Sequence, residues 1–423
     1  MDGTTDRIRI LHTSDWHLGR QLYGRRRAVE FEAFLDWLLG LIDRERIQVL
    51  IVSGDIFDTT TPGSTAQRAY YDFLGRLPKT CCRHVVIISG NHDSPTLLGA
   101  SSSLLKHFNI HVVTEAVPDN EALLLTDATG KPSLGVIAVP FLHDRDIRIS
   151  NDAESLEDKE HAYQEAVARH FIDAERKMVE LSAQTRVPIV CMAHLFTIGA
   201  VTVEGDGVRD LAVGSLSHVR PSIFPTAADY VALGHLHVPQ NVGGQENIRY
   251  CGSPIPMGFG EANQRKQVCV VELGSDLAPT VRNIPVPVFR KLVKIQGNLE
   301  HIRRELLEIG SRTASADEPR CPTWVEIDYD GEEICDDLQQ RVEQMVSPLN
   351  QVEVIAVRNL RKAQAILRQQ EAAQTLESLT PREVFARCME ENGIVESQQE
   401  DLSAAFDEIY HSILTADTLS DEG

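Results

Sequence analysis

Five short segments of this 423-residue chain end in side chains that ligate metals or move protons. They carry Asp15 and His17 in LHTSDWHLGR, Asp55 and Asp58 in VSGDIFD, Asn91, His92 and Asp93 in SGNHD, His194 in VCMAHLF, and His235 and His237 in VALGHLHV. Oxygen and imidazole ligands without thiolate suit Mn, Fe or Zn and argue against iron–sulfur or structural cysteine–zinc sites. Asp15, His17, Asp55, Asn91, His194, His235 and His237 are more groups than one ion needs, which points to two ions. A pair of ions about 3.5–4 Å apart can clamp a phosphate and activate water between them. Asp-x-His puts both side chains on one face of an extended segment, because strand side chains alternate with period two, and His235-x-His237 does the same. The glycines in GD, GNH and GH permit tight turns and close approach of backbone to ligand. Singly, an Asp-x-His or a lone histidine is commonplace; five at the ends of apolar runs are not. His12, His84, His107, His111 and His218 read as ordinary core or surface histidines.

The elements that must position these groups are legible around them. Ile8–Thr13 reads as a buried strand, 28–46 as an amphipathic helix with Phe31, Phe34, Leu38 and Ile42 on one face, and Val49–Ser53 as a second strand. A helix over Thr65–Leu77 and a third strand over His84–Ile88 complete a β-α-β-α-β order, which implies parallel strands with crossover helices. Functional groups in such sheets collect beyond the carboxyl ends of the strands, where the first three motifs fall. The pattern then predicts a helix over 94–107, strands near 110–113, 121–125 and 134–139, a long helix over 157–184, and strands 188–193 and 230–233. Strands over 267–273 and 280–284 close this part, and Pro285–Pro287 marks a boundary. Beyond it the order strand, helix, strand, helix, strand over 290–358 reads as a small separate α/β unit. A polar, Gln- and Ala-rich stretch over 361–377 precedes two helices at 381–391 and 398–414, the second with Leu402, Phe406, Ile409 and Ile413 in one stripe. The expected domains are 1–285, 286–360 and 361–423.

A chain of this length can bury a sizeable core. No apolar run approaches the roughly 20 residues that span a bilayer, and the first residues contain no signal-like apolar stretch. The eight cysteines lack CxxC spacing, which fits a reduced, cytoplasmic chain. A net charge of −21 speaks at first against nucleic acid. About half of it, however, lies in residues 371–423, with 13 acidic and 2 basic residues. Arg20, Arg25, Arg26 and Arg27 cluster after the first motif and could track phosphates.

The series D-x-H, GD-x-x-D, GNHD, H, GH-x-H resembles the calcineurin-like metallophosphoesterase superfamily. LHTSDWHLGR, SGDIFDT, SGNHDS, ALGHLH and YCGSPIP narrow the resemblance to the SbcD family of bacterial nuclease subunits, over nearly the whole chain. The resemblance implies an α/β fold: a two-sheet β sandwich flanked by helices, a small α/β capping domain and a C-terminal helical segment. It implies Asp15, His17 and His237 on one ion, Asn91, His194 and His235 on the other, and Asp55 bridging. Manganese is the metal it implies, with His92 stabilising the transition state and protonating the departing oxygen. Asp58 would orient His92, with Asp93 as the other candidate for a supporting role. The same resemblance implies cleavage of DNA at ends and hairpins in repair and recombination, in the cytoplasm and on the nucleoid. It also implies a homodimer, and docking of the C-terminal helices on an SbcC-type coiled-coil ABC ATPase. The chain has no Walker A motif, so any ATP dependence belongs to that partner. A metallophosphoesterase acting on nucleotides or small phosphodiesters is the alternative, since one metal centre serves many substrates.

Overall fold

The computed structural model describes residues 7–147, 156–197, 218–274, 277–311, 321–331, 335 and 337–361, with positions 384, 385, 389, 399, 402, 403 and 406 beyond. Two six-stranded sheets form its larger part. The first is built from β1 (Ile8–Thr13), β2 (Val49–Ser53), β3 (His84–Ile88) and β4 (Ile110–Val113), all parallel. The second contains β5 (Ala122–Thr126), β6 (Pro132–Ala138), β7 (Ile189–His194), β8 (Tyr230–Gly234), β9 (Gln240–Val242) and β10 (Gln245–Tyr250). β11 (Gln267–Gly274) and β12 (Leu277–Pro285) return to the first sheet. The orders are β12-β11-β1-β2-β3-β4 and β9-β10-β8-β7-β6-β5. β11 lies antiparallel to β1, pairing Ile8 with Leu273, so the first strand sits inside its sheet.

The strands are apolar on both sides because both faces are covered. Ile10, Val49, Ile51 and Val86 turn inward against Val136, Ala138, Val190 and Met192 of the other sheet. The alternate residues Leu11, Leu50 and Val52 turn outward. There they meet Phe31, Phe34 and Leu38 of α1 (Ala28–Arg44) and Tyr70 and Phe73 of α2 (Ser64–Arg76). On the opposite side Ile137, Cys191 and Val231 pack against Val167, Phe171 and Met178 of α3 (Leu156–Ser182). This is the helix-flanked sandwich that the family resemblance implies.

The helix expected over 94–107 is two short ones, Pro95–Gly99 and Ser102–Lys106. Ser94 caps the first through its side chain, accepting from Leu97 N. The break falls at Ala100-Ser101, between Gly99 and the serines 101–103, which are weaker helix formers than the Ala100 among them. Gly99 also lies so close to Thr114 that a Cβ would sit 2.8 Å from its Oγ1.

After the sandwich come β13 (Leu292–Gly297), α4 (Leu299–Ser311), β14 (Thr323–Tyr329), α5 (Leu338–Val346) and β15 (Val352–Asn359), the order read from the sequence. The three strands form a sheet ordered β13-β14-β15. Contacts divide the chain into two compact units, one of Met1–Ile295, His301–Ile327 and Gln339–Val357, the other of Gln296–Glu300, Asp328–Leu338 and Arg358–Gly423. Within the second, Arg358 grips Asp328 through Nε (2.8 Å) and Nη2 (3.2 Å), and Phe385 stacks on Phe406 at 4.4 Å. The expected polar stretch beyond Arg361, most of the two helices expected over 381–391 and 398–414, and with them Ile409 and Ile413, lie outside the described residues. No helix among the described residues is long and apolar enough to cross a membrane. The described cysteines are all free thiols.

Candidate metal centre

All five motifs lie where β1, β2, β3, β7 and β8 end at one edge of the sandwich. The first two loops leave their strands side by side and continue to pair. Asp15 N donates to Gly54 O (3.0 Å), His17 N to Asp55 O (3.0 Å) and Leu18 N to Ile56 O (2.9 Å). Asp15, His17 and Asp55 hold left-handed backbone with φ of 53°, 47° and 50°, and His235 has φ of 102°. Such conformations cost of order 1–3 kcal/mol each and persist where the surroundings impose them. Asp15 and His17 therefore converge through a left-handed turn, not through the strand alternation that their spacing suggested, and His235 departs from that alternation as well. A regular strand would carry its side chains past the sheet edge.

The side chains form two groups with Asp55 between them. On one side, Asp15, His17 and His237 offer ligand atoms within 4.8 Å of one another, with His17 Nε2 3.1 Å from His237 Nε2. On the other, Asn91 Oδ1 lies 3.0 Å from His194 Nε2 and 3.2 Å from His235 Nδ1. Asp55 Oδ2 is 3.5 Å from His17 Nε2 and 3.4 Å from His194 Nε2. The donor set fits a pair of divalent cations. Two imidazole nitrogens that face each other and two more around one amide oxygen are buried, and both groups share a carboxylate. His194 Nδ1 donates to Ser53 O (2.9 Å), which leaves Nε2 toward Asn91 and Asp55.

The electrostatics match this crowding. Burial alone would push the Asp55 carboxyl up, but His194, His17 and His92 hold it well below the ordinary carboxylate range. Burial lowers the pKa of His194, yet the charge of Asp55 outweighs it and carries His194 to about 9. His235 goes the other way, to about 3, through burial and then the His194 charge.

His92 is buried beside the first group, its ring 4.8 Å from that of His17. Its Nδ1 donates to the main-chain carbonyl of Asp58 at 2.8 Å. The Asp58 carboxylate, expected on His92, instead lies 3.4 Å from His17 Nδ1 and 3.0 Å from Arg20 Nη1. Burial would raise its pKa, but His17 and Arg20 lower it to about 2. Asp58 thus meets His92 through its main-chain carbonyl, while its carboxylate lies between His17 and Arg20.

Asp93 supports the site from behind, accepting from Ile56 N (3.1 Å), Phe57 N (2.9 Å) and Gly90 N (2.9 Å). It thus ties the Asn91-His92 turn to the Asp55 loop. Burial, and next the Asp55 charge, push its carboxyl up to about 7. Of the clustered arginines, Arg27 is not available to phosphate. It is buried, donating to Glu30 Oε2 (2.6 Å) and Pro256 O (2.7 Å), because the buried Glu30 carboxylate requires a partner. Arg25 and Arg26 are exposed on a hairpin whose strands are Gln21–Leu22 and Arg25–Arg26.

Two contacts were not foreseen. Ser14 Oγ donates to Asp15 Oδ2 (2.5 Å), and Glu261 Oε1 lies 3.0 Å from His237 Nδ1. Ser14 adjoins a ligand motif and could have been proposed from that alone, whereas Glu261 is 24 residues from its histidine without local pattern. His12 and His84 are buried away from the centre and His107 is exposed; the side chain of His218 lies outside the described residues.

A profile of the calcineurin-like phosphoesterase family matches residues 8–239, and one of the SbcD C-terminal domain, described as the type 5 capsule protein repressor C-terminal domain, matches 288–392. Curated relatives named as the SbcD component of the SbcCD nuclease agree over long spans. The Escherichia coli K12 protein is 36% identical over 410 residues, covering 96% of this chain and 98% of its own. Those of Rhodobacter capsulatus (32%, 74% of this chain and 78% of the relative) and Bacillus subtilis (31%, 68% and 72%) follow. The chain belongs to the calcineurin-like phosphoesterases and, within them, to the SbcD family of SbcCD nuclease components, metal-dependent hydrolases of the nuclease class.

Proposed function

We propose that this protein hydrolyses DNA phosphodiester bonds, at ends and hairpins, with two divalent ions, Mn²⁺ in the cell. The single observation that carries the two-ion reading is the placement of Asp55 Oδ2, 3.5 Å from His17 Nε2 and 3.4 Å from His194 Nε2. Asp15, His17 and His237 would hold one ion, Asn91, His194 and His235 the other, with Asp55 between. When bound, the ions supply positive charge that polarises the phosphate and lowers the pKa of attacking water.

The chain's own groups do the rest. Because the Asp58 carbonyl can only accept, His92 keeps a proton on Nδ1, and the proton exchanged with substrate is the one on Nε2. Asp58 holds His17 and Arg20 in place, a positioning role in the site. Asp93 fixes the height of the His92 turn over Asp55. Arg25 and Arg26 are exposed cations suited to the DNA backbone.

The division of labour follows the family. Residues 1–285 are the nuclease domain, 286–360 the capping domain, and 361–423 a linker and helical segment that docks on an SbcC-type coiled-coil ABC ATPase. The protein works as a homodimer in the cytoplasm, on the nucleoid when DNA-bound, in repair and recombination. What supports docking is the terminal apolar stripe and the relatives' SbcCD name.

The test is cleavage of a DNA hairpin and of a chromogenic phosphodiester, with Mn²⁺ or Mg²⁺, with and without the ATPase and ATP. Manganese-dependent hairpin cleavage stimulated by the ATPase is expected. Diester hydrolysis with intact DNA under every condition would move the protein to small substrates.

A further inference from the structure

Behind the Asp15–His17–His237 group lies a buried network that ends on a lysine. Glu261, fully buried, meets His237 Nδ1 through Oε1 at 3.0 Å. Its other oxygen accepts from Met257 N (2.9 Å), Ser253 Oγ (3.3 Å) and Lys266 Nζ (2.5 Å). Lys266 is buried as well, and its ammonium, with three N–H groups to share, also lies within hydrogen-bond distance of His237 O (3.1 Å), Ser253 Oγ (3.0 Å) and Gln264 Oε1 (2.9 Å). The ring of His237 is thus gripped by the carboxylate, and its carbonyl by the cation that neutralises that carboxylate.

This arrangement exceeds what fastening a loop requires. A buried carboxylate is costly unless paired, and Lys266 supplies the pair. A carboxylate against Nδ1 keeps the proton there, aims the Nε2 lone pair, and makes it a stronger donor. That nitrogen faces His17 Nε2 at 3.1 Å. The second group stands on different supports, among them the Ser53 carbonyl behind His194.

We infer that Glu261, charge-balanced by Lys266, is a positioning residue that fixes the tautomer of His237 and sets the affinity of the ion on the Asp15–His17–His237 side, leaving the other ion unaffected. The inference rests on the two-ion reading. It attributes to the support behind His237 a difference between the two ions beyond that of their own donors, the Asp15 carboxylate on one side and the Asn91 amide on the other.

The experiment is Mn²⁺ titration of the metal-free full-length protein by calorimetry, with electron paramagnetic resonance to count bound ions. Glu261→Gln is compared with Glu261→Gln/Lys266→Met, because the single change strands a buried lysine and risks the fold. The double change removes both charges together, and its thermal transition reports folding. In the folded double variant one ion keeps parental affinity and the other weakens about 10–100-fold. Parental affinity at both sites, or equal weakening at both, would overturn the inference. Failure of the parental protein to bind two ions would instead overturn the two-ion reading on which it stands.

Discussion

Gly90 and His92 belong to one turn and fail in different ways when changed. A Cβ on Gly90 would run into the Asp55 carboxylate and main-chain nitrogen, neither of which can move without displacing the proposed shared ligand. Gly90→Ala should therefore cost about 1–3 kcal/mol of stability and lower Mn²⁺ affinity together, measured by denaturant unfolding and by titration. His92→Ala removes no proposed ligand. It should keep both ions yet slow cleavage about 10²–10⁴-fold, and loss of the ions in that variant would show that His92 is a ligand instead. His12 offers a test away from the centre. It is buried with Nδ1 2.9 Å from Tyr230 Oη, and burial lowers its pKa to about 3. A base whose folded pKa is depressed stabilises the fold above its unfolded pKa, near 6.5, and loses that contribution as the pH falls toward 3. Metal-free protein should lose about 1.4 kcal/mol per pH unit below 6.5 from this group, and His12→Gln should flatten the slope by that amount. At this scale the residues that gather at the candidate centre were legible in the sequence because each follows an apolar run. The left-handed turn at Asp15, the main-chain support of His92 and the distant Glu261 were not, since each depends on contacts between loops.

The hairpin of Gln21–Leu22 and Arg25–Arg26 sits directly after the first ligand loop. Its tip residue Tyr23 donates to the buried carboxylate of Glu326, so the hairpin is anchored while both arginines stay exposed. If they track the DNA backbone, Arg25→Ala/Arg26→Ala should weaken DNA binding irrespective of sequence. It should also reduce the slope of log K against log salt by about 1–2, with small-diester hydrolysis retained. An unchanged salt slope would assign DNA contact to other residues. Strand limits such as Val49–Ser53 and His84–Ile88 were readable because buried parallel strands are continuous apolar runs. The 94–107 helix was misread because its apolar positions continue across a Gly-Ser-rich interruption that only packing against Thr114 makes decisive.

At the scale of the whole molecule, two packed sheets deliver five strand ends to one edge, and those ends bear the donor atoms. Apolar residues on both faces of the strands require cover on both sides, and the family resemblance, not the pattern, supplies the second sheet. The strand order is not in the pattern either, because β1 pairs with β11 more than 250 residues away, a choice no local pattern encodes. Removing 379–423 should abolish binding of the ATPase partner in a pull-down while sparing hydrolysis of a small diester; retained binding would place the docking surface elsewhere. The central claim is that Asp55 joins two ions held by those strand ends. Anomalous diffraction from crystals grown with Mn²⁺ tests it most directly. The account predicts two peaks about 3.5–4 Å apart on either side of the Asp55 carboxylate, one against His17 and His237 and one against Asn91, His194 and His235. A single peak, or a pair that Asp55 does not touch, would contradict it.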